Sequence, residues 1–382
     1  MSEIADMGIQ RRPGQVVGRV VKNARKRFLE AESLVQAGKT PHDVVYEDDI
    51  VQLRYYPPIQ ESTIKVGDSD VTVEKESFRI PLVIVAPLAA NMYIYDLFQE
   101  RSLVRYLRAK GFELYLVDWG VPQWPHNHFT LSTYFAEKLP ELLAEVRKHS
   151  GEQQLSLHGW SLGGLFSTCY AALGDPDIVN IALVGAPFDY HSNGDLGKQY
   201  QRLDKQLTWL KKTTGWQVHD SPKRWWRSPG WMNALAFKLT NPVGSIQGYV
   251  DLLKNLHDEE YVVSHATNSA FLDDMLAYPG GAMQDIVHYL CAENILTKGK
   301  LPISGDENKG DVSNINANLL LVCGDKDPIV TRDNSVAILD HVNSRDRTVM
   351  DVPGGHMGIL SGSKAPIHIW PRLAEWLAKR SV

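Results

Sequence analysis

The sequence predicts an α/β protein: a mostly parallel sheet, helices on both faces and an inserted helical lid. Three observations carry this reading. Apolar runs of strand length alternate with segments of helical spacing, a glycine-flanked serine stands between one such run and a helix, and a tryptophan-rich interval breaks the alternation late in the chain.

In order along the chain, residues 15–36 place Val16, Val17, Val20, Val21, Ala24, Phe28, Ala31, Leu34 and Val35 at helical spacing, and Gly38 and Pro41 end the segment. The basic residues Arg19, Lys22, Arg25, Lys26 and Arg27 read as a solvated helix face, with contact to an anionic surface as the alternative. VQLRYY (51–56) alternates as a strand, and IPLVIVAP (80–87) is a continuous apolar run, as a parallel strand covered on both faces would be. A helix at 102–112, a strand at 113–119 and a helix at 131–149 follow. LSLHG (155–159) is the next strand, then a helix from about 162 to 173 and a strand at 179–187. The alternation resumes with NLLLVCG (318–324), a helix at 335–342, RTVMDVP (347–353) and a closing helix at 368–380.

The interval from about 188 to 312 reads as helices and loops and holds five of the ten tryptophans: Trp209, Trp216, Trp225, Trp226 and Trp231. An insertion at this point would lie over the carboxyl ends of the strands, where such sheets bind ligands. Packing within the lid is expected to account for most of these indoles. The polar, glycine-rich run 298–311 reads as the loop leaving the lid. The expected organisation is an N-terminal helical segment at 1–50, a core at 51–187 and 313–382, and a lid at 188–312.

Composition narrows the function. The chain has 382 residues, 43% hydrophobic and 22% charged, with a formal net charge of -5, which gives no electrostatic case for nucleic acid. Cys169, Cys291 and Cys323 are widely spaced and read as reduced thiols, not a disulfide framework or a zinc site. The first residues lack the apolar core of a signal peptide, and no apolar run approaches the ~20 residues of a membrane span. A cytoplasmic protein is expected, without metal or cofactor.

GWSLGG (159–164) follows a strand and precedes a helix, the setting of a nucleophile elbow. The turn is sharp, so its flanking positions need glycine. It presents the Ser161 hydroxyl at the sheet edge, while the Leu162 amide faces developing negative charge. Serine needs a base, and the base needs a carboxylate, in the chain order serine, acid, histidine. Asp327 follows the strand 318–324 and is favoured over Asp325; His356 follows the last strand in the glycine-rich VPGGHMG. The second oxyanion donor falls to the backbone of Leu88 in the loop after the first long strand, with Ala89 as the alternative. His158 reads as a packed neighbour of the elbow, Cys169 as core, and His126 and His128 as loop residues.

IVAPLAANMYIYDLFQERSLVRYLRAKGFELYLVDWGVP (84–122) closely resembles the polyhydroxyalkanoate synthases, above all the short-chain, two-component type. The likeness extends to EAESLVQAGKTPHDVVYEDDIVQLRYY (30–56), FSTCYAAL (166–173), APFDYHSNGDL (186–196) and GHMGILSGSK (355–364). It implies an α/β-hydrolase fold, chemistry on 3-hydroxyacyl thioesters or their polyesters, and the same acid and base, Asp327 and His356. It also implies a homodimer or a second subunit, and a place at the polyester granule surface.

The family carries cysteine at the elbow, where this chain has Ser161. A thiolate exchanges readily with a thioester, whereas serine triads usually hand the acyl group to water or an alcohol. The expectation is therefore an esterase or thioesterase acting on hydroxyacyl esters, hydroxyacyl-CoA or hydroxyalkanoate oligomers. The alternatives are a synthase polymerising 3-hydroxyacyl-CoA and a non-catalytic granule-associated protein.

Overall fold

The structure, a computed structural model, describes residues 13–239, 242–305 and 309–382. The reading of the first twelve residues, and of 306–308 within the loop at 298–311, lies outside these. Eight strands form the central sheet: β1 (Asp43–Asp48), β2 (Val51–Tyr56), β3 (Leu82–Val85), β4 (Leu114–Asp118), β5 (Leu155–Trp160), β6 (Ile178–Val184), β7 (Asn318–Gly324) and β8 (Arg347–Val352). Their order is β1-β2-β4-β3-β5-β6-β7-β8. The pairs β1/β2 and β2/β4 are antiparallel, and every later pair is parallel.

Chemistry explains the strands. Every residue of LVIV in β3 and of LSLHGW in β5 is buried, as central parallel strands covered on both faces require. Helix α2 (Leu103–Ala109) meets the closing helix Trp370–Ala378 on one side. On the other, α4 (Leu162–Ala171) packs on the π-helical turn Thr133–Lys138 that leads into α3 (Leu139–Ser150). Register aligns the functional ends: Val85 pairs with Gly159, Trp160 with Val184, and Gly324 with Val352.

Among the described residues between β6 and β7 run five α-helices: α5 (Gly194–Thr214), α6 (Gly230–Leu239), α7 (Pro242–Lys254), α8 (Glu259–Asp273) and α9 (Gly280–Asp285), the last continuing as a π-helical segment to Ala292. Asp285, almost fully buried, ties this insertion to the core: one carboxylate oxygen accepts from the Leu131 amide at 2.8 Å and the other meets His219 at 2.9 Å.

Several elements differ from the sequence reading. The sheet starts inside the first fifty residues, at β1, whose burial alternates too weakly to stand out. Two small hairpins, Thr63–Val66 with Ser69–Thr72 and Asp96–Phe98 with Arg101–Ser102, carry no long apolar run. The helix expected at 335–342 is a short helix, Arg332–Val336, followed by a 3-10 turn. Nor are most tryptophans of this insertion packed: Trp209, Trp225 and Trp231 are 65%, 72% and 67% exposed. Trp226 is half-buried and donates to Ser221 Oγ at 2.7 Å.

The N-terminal helix α1 (Pro13–Leu29) packs on α8 of the insertion. Val20 and Ala24 meet a small second core of Leu34, Leu252, Leu256, Val262 and Ala266. Part of its basic face is paired, with Lys22 and Lys26 both on Glu259.

Candidate active site

Strand β5 ends at Trp160, and Ser161 turns the chain with φ 54 and ψ -127. That backbone is costly for a residue with a Cβ and persists only where its surroundings over-determine it. The surroundings do so. A Cβ on Gly159 would lie 2.4 Å from Gly163 backbone atoms, and one on Gly163 would lie 2.0 Å from the Val85 carbonyl. The Ser161 amide is fixed to the Val184 carbonyl at 3.0 Å, and its own carbonyl accepts from Gly164 and Leu165 as α4 begins. Glycine is thus needed for strand, turn and helix to come this close.

Asp327 lies in the turn after β7, with one carboxylate oxygen accepting from the Ile329 and Val330 amides, each at 2.9 Å. The other accepts from His356 Nδ1 at 2.7 Å, and both side chains are buried. With Nδ1 donating, the opposite nitrogen is the acceptor. His356 Nε2 lies 2.9 Å from Ser161 Oγ, so the serine hydroxyl donates to it. The three residues singled out from sequence therefore form one relay. Asp325 turns away and accepts from the Gly354 amide at 2.8 Å, shaping the loop that carries His356.

Leu162 is the first residue of α4. Because Gly163 rests against Val85 and Ala86, the following loop with Leu88 and Ala89 lies beside the elbow. Ala89 has φ 64, and three bonds hold the loop. Trp119 Nε1 donates to the Ala86 carbonyl at 2.7 Å, the Leu276 amide to the Ala89 carbonyl at 2.6 Å, and Asn91 Nδ2 to Asp274 at 3.4 Å. Leu276 and Asp274 belong to the helical insertion.

The other candidate histidines are spoken for. His158 is fully buried; its Nδ1 donates to the Ala182 carbonyl at 3.1 Å, and burial pushes its pKa down to about 4. His126 Nδ1 accepts from the Gln123 amide, and His128 Nδ1 lies 2.8 Å from the Pro125 carbonyl. Burial raises the Cys169 thiol well above its usual range, so it stays protonated in the core. Among the described residues no group of three or more His, Cys, Asp or Glu side chains is placed to hold a metal ion.

Two supporting residues were not singled out from sequence. Trp160 lies against His356, and Gly185 lies under the Asp327–His356 pair. Their signal was position alone: one precedes the serine, the other follows β6.

The sequence profile of the family described as alpha/beta hydrolase fold matches residues 80–363, and the chain belongs to that family. It is an enzyme of this fold, similar to polyhydroxyalkanoate polymerase subunits. It is 26% identical over 378 residues to the poly(3-hydroxyalkanoate) polymerase subunit PhaC of Haloferax mediterranei, covering 98% of this chain and 72% of that one. The subunit of the same name from Allochromatium vinosum is 26% identical over 376 residues, 97% of this chain and 98% of that one. A soluble variant of monoglyceride lipase from Saccharomyces cerevisiae shares the fold, with a TM-score of 0.53 and 16% identity over 91% of this chain and 97% of that structure. No helix among the described residues is long and apolar enough to cross a membrane.

Proposed function

We propose that this chain is a serine-dependent acyltransferase that polymerises 3-hydroxyacyl-CoA. One observation carries the reading: a Ser161–His356–Asp327 relay in a chain that matches PhaC polymerase subunits nearly end to end. In the proposed cycle, Ser161 Oγ attacks the thioester carbonyl while His356 Nε2 takes its proton. The amides of Leu162 and Leu88, with Ala89 the alternative to Leu88, hold the oxyanion, each such donor contributing ~3 kcal/mol of transition-state stabilisation. The C–S bond breaks, CoA leaves with the proton from His356, and an oxygen ester remains on Ser161. The hydroxyl of a growing chain then gives its proton to His356 and attacks that ester, freeing Ser161 and lengthening the chain by one unit.

The insertion at 188–312 serves as a lid in this scheme, since Leu276 and Asp274 bond the loop beside the elbow. A homodimer or a second subunit, and a place on the polyester surface, complete the proposal.

Hydrolysis is the second reading, and the serine favours it, because water resolves an oxygen ester as readily as an alcohol does. The similarity to polymerase subunits weighs toward chain growth. Incubation with 3-hydroxybutyryl-CoA separates them: polymer alongside free CoA is expected, whereas 3-hydroxybutyrate equimolar with CoA would establish the hydrolase. Ser161→Ala should abolish CoA release in either case.

A further inference from the structure

The residue before the serine is a tryptophan, and it touches both the nucleophile and the base of the relay. Its backbone runs directly into Ser161, and its amide donates to Tyr95 Oη at 3.2 Å. Its indole Nε1 donates to the backbone carbonyl of His356 at 3.0 Å. The indole also faces the imidazole, with ring centroids 4.9 Å apart and planes inclined by 36°. Trp160 is 2% exposed, so these contacts are dry.

His356 needs such a support. It sits in a loop beside Gly354 and Gly355, with Gly354 at φ 141, and glycine gives a chain little stiffness of its own. Asp327 holds one ring nitrogen and Ser161 the other, which leaves the ring free to rock about the axis through those two bonds. A donor on the backbone carbonyl and an aromatic face against the ring remove that freedom. The face has a second effect, because the π-cloud of an indole attracts a cation and the imidazole becomes one whenever it takes the serine proton.

We infer that Trp160 is a positioning residue for His356, a strut between nucleophile and base that also favours the imidazolium formed in the transition state. The inference rests on Ser161, His356 and Asp327 being the reacting relay. The titratable groups on the elements packed here are Asp327, which bonds His356; Asp325, which accepts from the Gly354 amide in the same loop; Lys326 between them; and, behind Trp160, Tyr95 from the loop after β3 with His158 on β5 against it. Burial holds both of the latter neutral. The charge that forms on His356 is therefore bonded by the Asp327 carboxylate and faced by the Trp160 indole.

The test is the rate at which a fluorophosphonate labels Ser161, followed against pH, which needs no knowledge of the acyl substrate. Trp160→Phe keeps an aromatic face and loses the N–H. Labelling should slow roughly three- to tenfold, the worth of one neutral hydrogen bond, with its acid limb unmoved. Trp160→Leu loses both, so labelling should slow further and the acid limb should shift to lower pH by about half a unit to one unit. Thermal unfolding of each variant gives the folded fraction. Variants whose labelling falls only with that fraction, on an unmoved pH profile, would reduce Trp160 to core packing and overturn the inference while leaving the relay in place. Failure of the folded wild-type chain to label at all would remove the relay itself, and this inference with it.

Discussion

Gly185, at φ 51, lies so close under the Asp327–His356 pair that a Cβ there would be 3.3 Å from Asp327 Oδ2 and 3.3 Å from His356 Nδ1. The carboxylate–imidazole bond is thus built on a position where only hydrogen fits comfortably. Gly185→Ala adds backbone strain of roughly 1–2 kcal/mol and crowds the pair. Turnover should fall at least tenfold, more than the loss of folded protein explains, as steady-state rates on soluble variant would show.

Exchanging the attacking atom tests the proposed chemistry. In a Ser161→Cys variant the acyl group would be held as a thioester, matched in energy to the CoA thioester, and a thiol is the better nucleophile toward thioesters. The variant should keep CoA release within about tenfold and raise the share of product recovered as polymer. A folded variant that alkylates at the new thiol yet releases no CoA would show a pocket shaped for oxygen.

The buried His158 predicts a pH dependence of stability. Its folded pKa is about 4, while the unfolded side chain titrates near ~6.5. Between these values the unfolded chain binds one proton more, so stability declines as pH falls through this window. The contribution amounts to about 2 kcal/mol between pH 7 and pH 5. The urea midpoint of wild type should fall relative to that of His158→Phe as the pH drops, because the variant lacks this term.

Arg227 clamps the insertion to the loop after β4. Its guanidinium donates to the carbonyls of Pro122 at 2.6 Å and Gln123 at 3.0 Å and to Asn127 Oδ1 at 3.2 Å, and it lies 5.4 Å from the centre of the Trp124 ring. Lysine cannot reproduce that fork. Arg227→Lys and Arg227→Ala should both loosen the insertion, costing about 1–2 kcal/mol and, if it acts as the proposed lid, raising free acid relative to polymer. Unchanged product ratios in both variants would show that this clamp does not exclude water.

What is legible in the sequence follows the range of the forces involved. The relay is legible because its parts occupy fixed places at strand ends: an elbow between β5 and α4, an acid after β7, a histidine after β8. Central strands announce themselves through unbroken apolar runs. β1 does not, since an edge strand half open to water has no such run. Gly185, Trp160 and Arg227 act across folds of the chain, where sequence spacing says nothing; Arg227 meets Pro122 from 105 positions away. The exposed indoles of the insertion escape a sequence reading for a related reason, because residue type sets the tendency to bury while neighbours decide the outcome.

The pairing of α1 with the insertion also bears on how the chain assembles. Asn23 donates to the Leu256 carbonyl across 233 positions, and Lys26 reaches Glu259 across the same distance. Loops that long close slowly, and isolated helices of this length are marginal in water. During synthesis α1 therefore waits for α7 and α8 while six of the eight strands of the sheet, β1–β6, are made. A helix near the start of the chain becomes one of the last to find its place, and a ribosome-bound intermediate would carry it exposed until α7 and α8 emerge.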